Sequence, residues 1–199
     1  MHQQLNPRPF IFLRHGETSW NVLGLAQGRT EVPMSDRGEM QAVHAAMVLK
    51  TARVSCIVAS PIGRALATAE VVGKNLNLPV NIDLDLQEVD FGVEEGKPAG
   101  GWYNQWIAGE YTPLNAEPFA SLLARAVAAV NRATNRDDHN GMPLIVGHGA
   151  WFRAIRLAMN LEPNIRPANG VPMACRPPTD SGTGWTISAI YHESTPNQG

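Results

Sequence analysis

Cysteine is almost missing from this chain: of 199 residues only Cys56 and Cys175 carry a thiol, far apart in sequence. One such pair gives neither a disulfide framework nor a CxxC zinc site, and no HExxH occurs either, so no metal is expected. Both thiols read as buried groups in a reducing compartment. Long apolar runs are missing too. No eighteen consecutive apolar residues occur, and the start, MHQQLNPRPFIFL, lacks a basic segment followed by a sustained apolar one, which predicts a cytoplasmic chain with no membrane contact. Charge of one sign is scarce. The net charge is −2 and no Lys/Arg block runs along the sequence, which excludes the phosphate-backbone binding that a nucleic-acid partner requires.

What is present describes one globular domain over 1–199, with 1–9 as a flexible tail. A chain this long buries about two-thirds of its unfolded surface and needs no covalent staple. FIFL ends at Arg14 as a short buried strand. SDRGEMQAVHAAMVLK follows as a helix, with Ser35 as N-cap and Met40, Val43 and Met47 at helical spacing. SCIVASP is a second buried strand, and IGRALATAEVVGKNL has the Ala/Leu content of a helix. VNIDLDLQEV alternates as a half-exposed strand would. After an irregular Gly- and Trp-rich stretch, EPFASLLARAVAAVNRATNR is the clearest helix, with Leu122, Ala126, Ala129 and Val130 on one side and Arg125, Arg132 and Arg136 elsewhere. MPLIVGH is a buried strand, GAWFRAIRLAMN a helix and WTISAIYH a closing strand, with the Pro-rich loop RPPTDSGTG before it. Alternating strands and helices predict an α/β layered fold.

Three of these strands end alike, at RHG, SPIGR and GHG. In open α/β sheets such turns share a crevice at the carboxyl ends of the strands, beside helix N-termini whose free amides attract anions. Arg14, His15, Arg64 and His148 would then form a cationic cluster that phosphate suits, because arginine forks match its oxygens and Gly16, Gly147 and Gly149 admit close backbone approach. Glu88 ends its own strand in LQEVDFG. A carboxylate beside a phosphate is unfavourable unless protonated, and a protonated carboxyl is what a leaving alkoxide needs.

LRHGETSWN, SPIGRALATAE, LQEVDFG and VGHGA, in this order, resemble the histidine phosphatase superfamily, the phosphoglycerate mutase-like proteins. The resemblance spans about residues 10–160. It implies a three-layer α/β fold, a mixed, mostly parallel sheet with helices on both faces, and no metal or organic cofactor. It implies His15 as the nucleophile that takes up the phosphoryl group, Arg14, Arg64 and His148 with Gly149 as phosphate binders, Glu88 as acid and base, and Asn21 and Gln27 as polar pocket positions. His15 attacks while neutral, its other nitrogen held by a carbonyl such as that of Gly16, and a cationic His148 would neutralise developing charge.

A single histidine or arginine at a turn is more often structural, yet joint occurrence at three strand ends is not explained that way. Glu88 reads equally as a helix cap, Asn21 and Gln27 as ordinary loop residues, and Glu17 as a cap or ion-pair partner. His2, His44, His139 and His192 lie outside the motifs and read as surface. Trp102, Tyr103, Trp106 and Tyr111 form either a substrate mouth or the small core that pins their loop. Mutases of the family carry a long basic insertion between the acid and the second histidine. Here only 60 positions separate them, and Lys74 and Lys97 are the sole cations from Arg64 to Arg125. The expected function is hydrolysis of a small phosphate monoester through a phosphohistidine. Mutase-type transfer and a non-catalytic phosphate-binding module are the alternatives, and Arg29, Arg153, Arg166 or Arg176 are further cations the fold can bring nearby. The oligomeric state is left open, a homodimer included.

Overall fold

Strand β1 (Phe10–Arg14) is buried along its whole length, as an apolar run enclosed on both sheet faces should be. A computed structural model describes residues 4–135, 141–179 and 184–191. β1 runs parallel to β4 (Met142–Gly147), and β4 runs parallel to β2 (Val54–Ala59), which also pairs with β3 (Val80–Ile82). On its other side β1 carries antiparallel β5 (Pro172–Arg176), then β6 (Thr186–Ala189). The order is β3-β2-β4-β1-β5-β6. Since β2, β4 and β1 are parallel neighbours, their carboxyl ends emerge on one edge, with Arg14 opposite Gly147 and Ala59 opposite Val146.

The strand's period of two decides which layer each residue joins. Phe10 and Phe12 face a cluster with Leu122, Val130, Trp151 and Phe152 from α5 (Phe119–Thr134) and α6 (Gly149–Ala158). The Phe12 ring stacks on Phe152 at 4.0 Å. Ile11 and Leu13 point the other way, onto Ala45, Ala46, Leu49, Ala65, Ala69 and Val72 of α2 (Asp36–Leu49) and α3 (Gly63–Leu76). The result is the expected mixed α/β sheet with helices on both faces. Two shorter helices, α1 (Ser19–Val22) and α4 (Trp102–Ala108), flank the cleft.

Several expectations change. In α2 the stripe Met40, Val43 and Met47 is exposed, and Ala42, Ala45, Ala46, Val48 and Leu49 are buried instead. Both stripes fit a helix; the alanines win because they let α2 lie close against α3 and the sheet. The strand expected over VNIDLDLQEV stops at Ile82. Asp83 accepts from the Asp85 amide at 3.0 Å and starts a 3₁₀ turn over Leu84–Leu86, so Glu88 follows a turn rather than ending a strand. The irregular stretch contains α4, whose Trp106 is fully buried against Phe91, Tyr103 and Phe119 and donates to the Glu117 carbonyl at 2.9 Å. Of the expected tail, residues 4–8 dock on α5: Asn131 donates to the Gln4 carbonyl, the Asn6 amide to Asn131, and Arg8 to the Thr134 carbonyl. β5 was not expected, because its proline and loop-like surroundings hide a strand that begins at Pro172, where no ladder donor is lost. Cys175 is buried as expected, whereas Cys56 is only partly so; both are free thiols. His44 is exposed. His2, Arg136, His139 and His192 lie outside the described residues. Among the described residues no helix is long and apolar enough to cross a membrane.

Candidate active site

The turn after β1 is held by contacts that leave His15 little freedom. Gly16 must be glycine, since a Cβ there would sit 2.3 Å from the Gly38 carbonyl oxygen in α2. Its amide donates to Thr68 Oγ1 at 3.0 Å, and the His15 amide to the Gly147 carbonyl at 3.1 Å. The His15 ring is 2% exposed, with Nδ1 2.7 Å from the Gly16 carbonyl oxygen, the acceptor the sequence had offered. Nδ1 therefore carries the proton, and Nε2 keeps its lone pair, facing Arg64 Nε at 3.3 Å. Burial first, then Arg14 and Arg64, hold the His15 pKa well below 6.5, so the ring is neutral.

Arg64 stands in the first turn of α3, 1% exposed, its guanidinium tied to the Thr30 and Gly28 carbonyls at 2.9 and 2.7 Å. Arg14 donates to the Pro167 carbonyl at 2.9 Å while its buried Nε has no partner. Burial, with Arg166 next, lowers the Arg14 pKa to about 9. Gly149 makes room for it, because a Cβ there would lie 3.4 Å from Arg14 Nε.

His148 is fully buried at the N-cap of α6, its ring centroid 5.3 Å from that of His15 and its Nε2 2.8 Å from Ser60 Oγ. In the free protein this ring is neutral. Burial, then Arg64, His15 and Arg14, hold its pKa well below 6.5, and Nδ1 is buried without a partner. Glu88, 6% exposed, is brought to the same cleft by α6: Oε1 accepts from the Trp151 and Val89 amides at 2.8 and 3.1 Å, and Oε2 from the Ala150 amide at 3.0 Å. It caps the helix and faces the pocket at once. Oε2 accepts a single N–H and retains a lone pair for a proton.

Asn21 and Gln27 are both at the cleft. Asn21 Oδ1 accepts from the Thr18 amide and from Asn169 Nδ2, whereas Gln27 donates to Thr18 Oγ1 and leaves its buried Oε1 unpartnered. Arg14, His15, Asn21, Gln27, Arg64 and Glu88 thus line one cavity of about 110 Å³, with Gly149 in its wall. A neutral imidazole whose Nε2 lone pair accepts only a long bond from Arg64, two guanidinium groups and a carboxyl group around one cavity can attack and stabilise an electrophile bearing anionic oxygens. Residues 10–175 match the model of the histidine phosphatase superfamily, branch 1.

The chain belongs to that superfamily.

Among its relatives, an uncharacterised phosphatase, PhoE, of Bacillus subtilis is 35% identical over 144 residues, 72% of each chain. A probable phosphoglycerate mutase, GpmB, of Proteus mirabilis is 33% identical over 148 residues, 69% of this chain and 67% of that one. A mycobacterial glucosyl-3-phosphoglycerate phosphatase in complex with VO3 superposes with a TM-score of 0.76 at 27% identity, over 90% of this chain and 97% of that one. A histidine-to-alanine variant of a phosphoserine phosphatase from Entamoeba histolytica, in complex with phosphoserine, gives 0.75 at 25%, over 92% and 96%.

The rest of the cleft is where this member of the superfamily holds more than its motifs spell out. Arg153 and Arg166 line it, while Arg29 turns to Glu117 and the Glu88 carbonyl, and Arg176 to Ser188. Tyr103 does both jobs proposed for the aromatics, packing on Phe91 and Trp106 and lining the cavity, whereas Tyr111 is exposed. Burial raises the Tyr103 pKa to about 12, so its hydroxyl stays protonated. Glu17 is an ion-pair partner of Arg37 and plays no part in the cavity. Ser60 and Thr68, which lie inside SPIGRALATAE, and Asn169, which no quoted motif contains, support the histidines and the turn. Among the described residues no cluster of three or more His, Cys, Asp or Glu is arranged to hold a metal ion.

Proposed function

We propose that this member of the superfamily is a phosphatase that hydrolyses a small phosphate monoester through a phosphohistidine, in the cytoplasm and without a metal ion. The observation that carries the reading is the state of His15: neutral, with its tautomer fixed by Gly16 and its Nε2 turned to the cavity beside two arginines. Two unpartnered buried atoms of residues that line the cavity, Arg14 Nε and Gln27 Oε1, mark where polar ligand atoms are wanted, whereas His148 stands behind the lining. The two free thiols suit a reducing compartment.

In the first step His15 Nε2 attacks phosphorus, the ester P–O bond breaks, and the leaving oxygen takes the proton of Glu88. In the second, water attacks the phosphohistidine, Glu88 accepts its proton, the P–N bond breaks, and phosphate departs. Arg14 and Arg64 hold the phosphoryl oxygens throughout. His148, neutral in the free protein, offers a hydrogen bond or takes up a proton once a dianion arrives.

Transfer of mutase type is favoured only by the naming of relatives such as GpmB. Among the described residues the cations between Glu88 and His148 speak for hydrolysis: Lys97 is exposed beside Glu94, Arg125 grips Glu117 and the Asp85, Gln87 and Glu88 carbonyls, and Arg132 pairs with Asp83 and Asp85. Assay of the purified protein against phosphate esters, and against 3-phosphoglycerate with and without bisphosphoglycerate, tests this. Phosphate release with acid-labile labelling that disappears in His15→Ala is expected. Isomerisation without release would replace hydrolase by mutase, and full turnover by His15→Ala would overturn the phosphohistidine.

A further inference from the structure

Arg64 is a buried cation whose hydrogen-bond partners are neutral. Nη1 and Nη2 donate to the Thr30 and Gly28 carbonyls, Nε faces His15, and among the described residues no carboxylate pairs with it. Burial lowers its pKa, and Glu88, Glu31 and Glu95 are the anions that act against that shift. A guanidinium tied to loop carbonyls is placed no better than the loop itself. Whatever fixes residues 28–30 therefore decides where Arg64 holds a ligand.

The group that fixes them is Glu95, which follows the 3₁₀ turn Gly92–Glu94 in the irregular stretch. Its Oε1 accepts from the Arg29 amide at 2.8 Å and from the Phe91 amide at 3.3 Å. Its Oε2 accepts from the Thr30 amide at 3.0 Å and from the Thr30 hydroxyl. Gly28 has a φ of +54°, and a Cβ on it would collide with Glu95 Oε1, so glycine is what lets the loop close on the carboxylate. One peptide group joins the two charges. The Gly28 carbonyl and the Arg29 amide are its two ends, and the first accepts from Arg64 while the second donates to Glu95. Negative charge at the N–H end polarises the unit and strengthens the acceptor at the other end. A carboxylate set directly on Arg64 would occupy the donors that a phosphoryl group needs. Placed one peptide away, it steadies the guanidinium and leaves Nε to the cavity. The two segments are also joined by backbone bonds, from the Gly96 amide to the Ala26 carbonyl at 2.8 Å and from the Ala26 amide to the Lys97 carbonyl at 2.9 Å. The carboxylate thus sets the fine position of a loop that the backbone already brings into place.

We propose that Glu95 is the positioning residue of Arg64, a counter-ion that acts through the Gly28–Arg29 peptide group. This rests on the phosphatase reading, in which Arg64 holds phosphoryl oxygens. Glu95→Gln keeps the size of the side chain and removes its charge. Glu31→Gln removes another charge that acts on Arg64, but one whose carboxylate bonds the Gly63 amide and not the 28–30 loop. Urea unfolding establishes that each variant is folded; calorimetric titration with inorganic phosphate and turnover of p-nitrophenyl phosphate are then measured. In Glu95→Gln the phosphate Kd and the KM should both rise by about tenfold, as loss of a charge-assisted hydrogen bond allows, with a smaller change in kcat. Glu31→Gln should change both clearly less. Glu95→Asp, which restores the charge at shorter reach, should recover part of the loss, and it takes the place of Glu95→Gln if that variant does not fold. Added to Arg64→Ala, Glu95→Gln should lower kcat/KM no further, because nothing is left for it to position. An unchanged Kd and KM in Glu95→Gln, equal effects of Glu95→Gln and Glu31→Gln, or an undiminished effect in the Arg64→Ala background overturns the proposal and leaves the phosphatase reading standing. Phosphate binding without turnover of any ester overturns the phosphatase reading alone, and the role of Glu95 is then decided by the Kd values. Absence of both binding and turnover in the unaltered protein overturns the two together.

Discussion

Lowering the pH from 7.5 to 5 should weaken this fold by an amount that two histidines set. His15 and His148 are buried and held neutral, with pKa values well below 6.5 because burial and the neighbouring arginines disfavour the cation. In the unfolded chain each titrates near 6.5. Below that pH the unfolded state takes up protons that the folded state refuses, so the stabilising contribution is fully present above 6.5 and lost as pH falls towards the folded values. The limiting slope is about 1.4 kcal/mol per pH unit for each ring. Integrated from pH 7.5 to 5 this comes to at most about 2 kcal/mol per histidine and at most about 4 for the pair, a large share of the roughly 5–15 kcal/mol that holds a domain together. The window avoids most carboxylates, whose unfolded values lie near 4. Urea unfolding at constant ionic strength, followed by tryptophan fluorescence, measures it. His15→Asn and His148→Asn should each lose about half of the pH dependence, whatever they do to stability at pH 7.5. A flat free energy between pH 7.5 and 5, or an undiminished slope in both variants, would refute the neutral, buried state of these rings.

Two further changes probe the site and its support. Glu88→Gln removes the transferable proton and keeps one oxygen to accept from the Trp151 amide, at the cost of an NH2 facing the Ala150 amide, so kcat/KM for alkyl phosphates should drop by about 10²-fold or more, and less for p-nitrophenyl phosphate, whose leaving group needs no proton. Equal losses for the two esters would remove Glu88 from proton transfer. Gly16→Ala places a Cβ 2.3 Å from the Gly38 carbonyl oxygen, and relieving that contact must move α2 or the catalytic turn. Thermal and urea unfolding should report a loss of about 1–3 kcal/mol with kcat reduced as well, and a variant as stable and active as the original would show that the approach of turn and helix is not tight.

How much of this was legible in the sequence depended on how locally each feature is encoded. Arg14-His15, Arg64 and His148 sit where an apolar run stops, and parallel β1, β2 and β4 convert three such stops into one edge. Arg153 and Arg166 carry no such mark. They reach the cavity because α6 packs its apolar face on Phe12 and the chain beyond it turns back to form β5, a strand that proline disguised. In α2 two stripes share the helical period, and only the close approach of alanines selects between them. That His148 is neutral in the free protein was out of reach for the same reason: a ring's neighbours in sequence say nothing of the arginines that the fold brings to it.

The helix N-termini show how a correct location can come with the wrong agent. Strand-to-helix turns suggest that free amides hold the anion. In this chain the exposed donors are taken by carboxylates: the Gly63 amide bonds Glu31 at the start of α3, and the Ala150 and Trp151 amides bond Glu88 at the start of α6. On the proposed function, a phosphate is therefore held mainly by side chains, by the guanidinium groups of Arg14 and Arg64 above all. That shifts the energetics from backbone to arginine, which explains why those two are buried at the expense of their own pKa values. Glu88's bonds to α6 fix its carboxyl group to the helix that bears His148 at its cap and Arg153 in its second turn, so these three side chains are positioned by one rigid element.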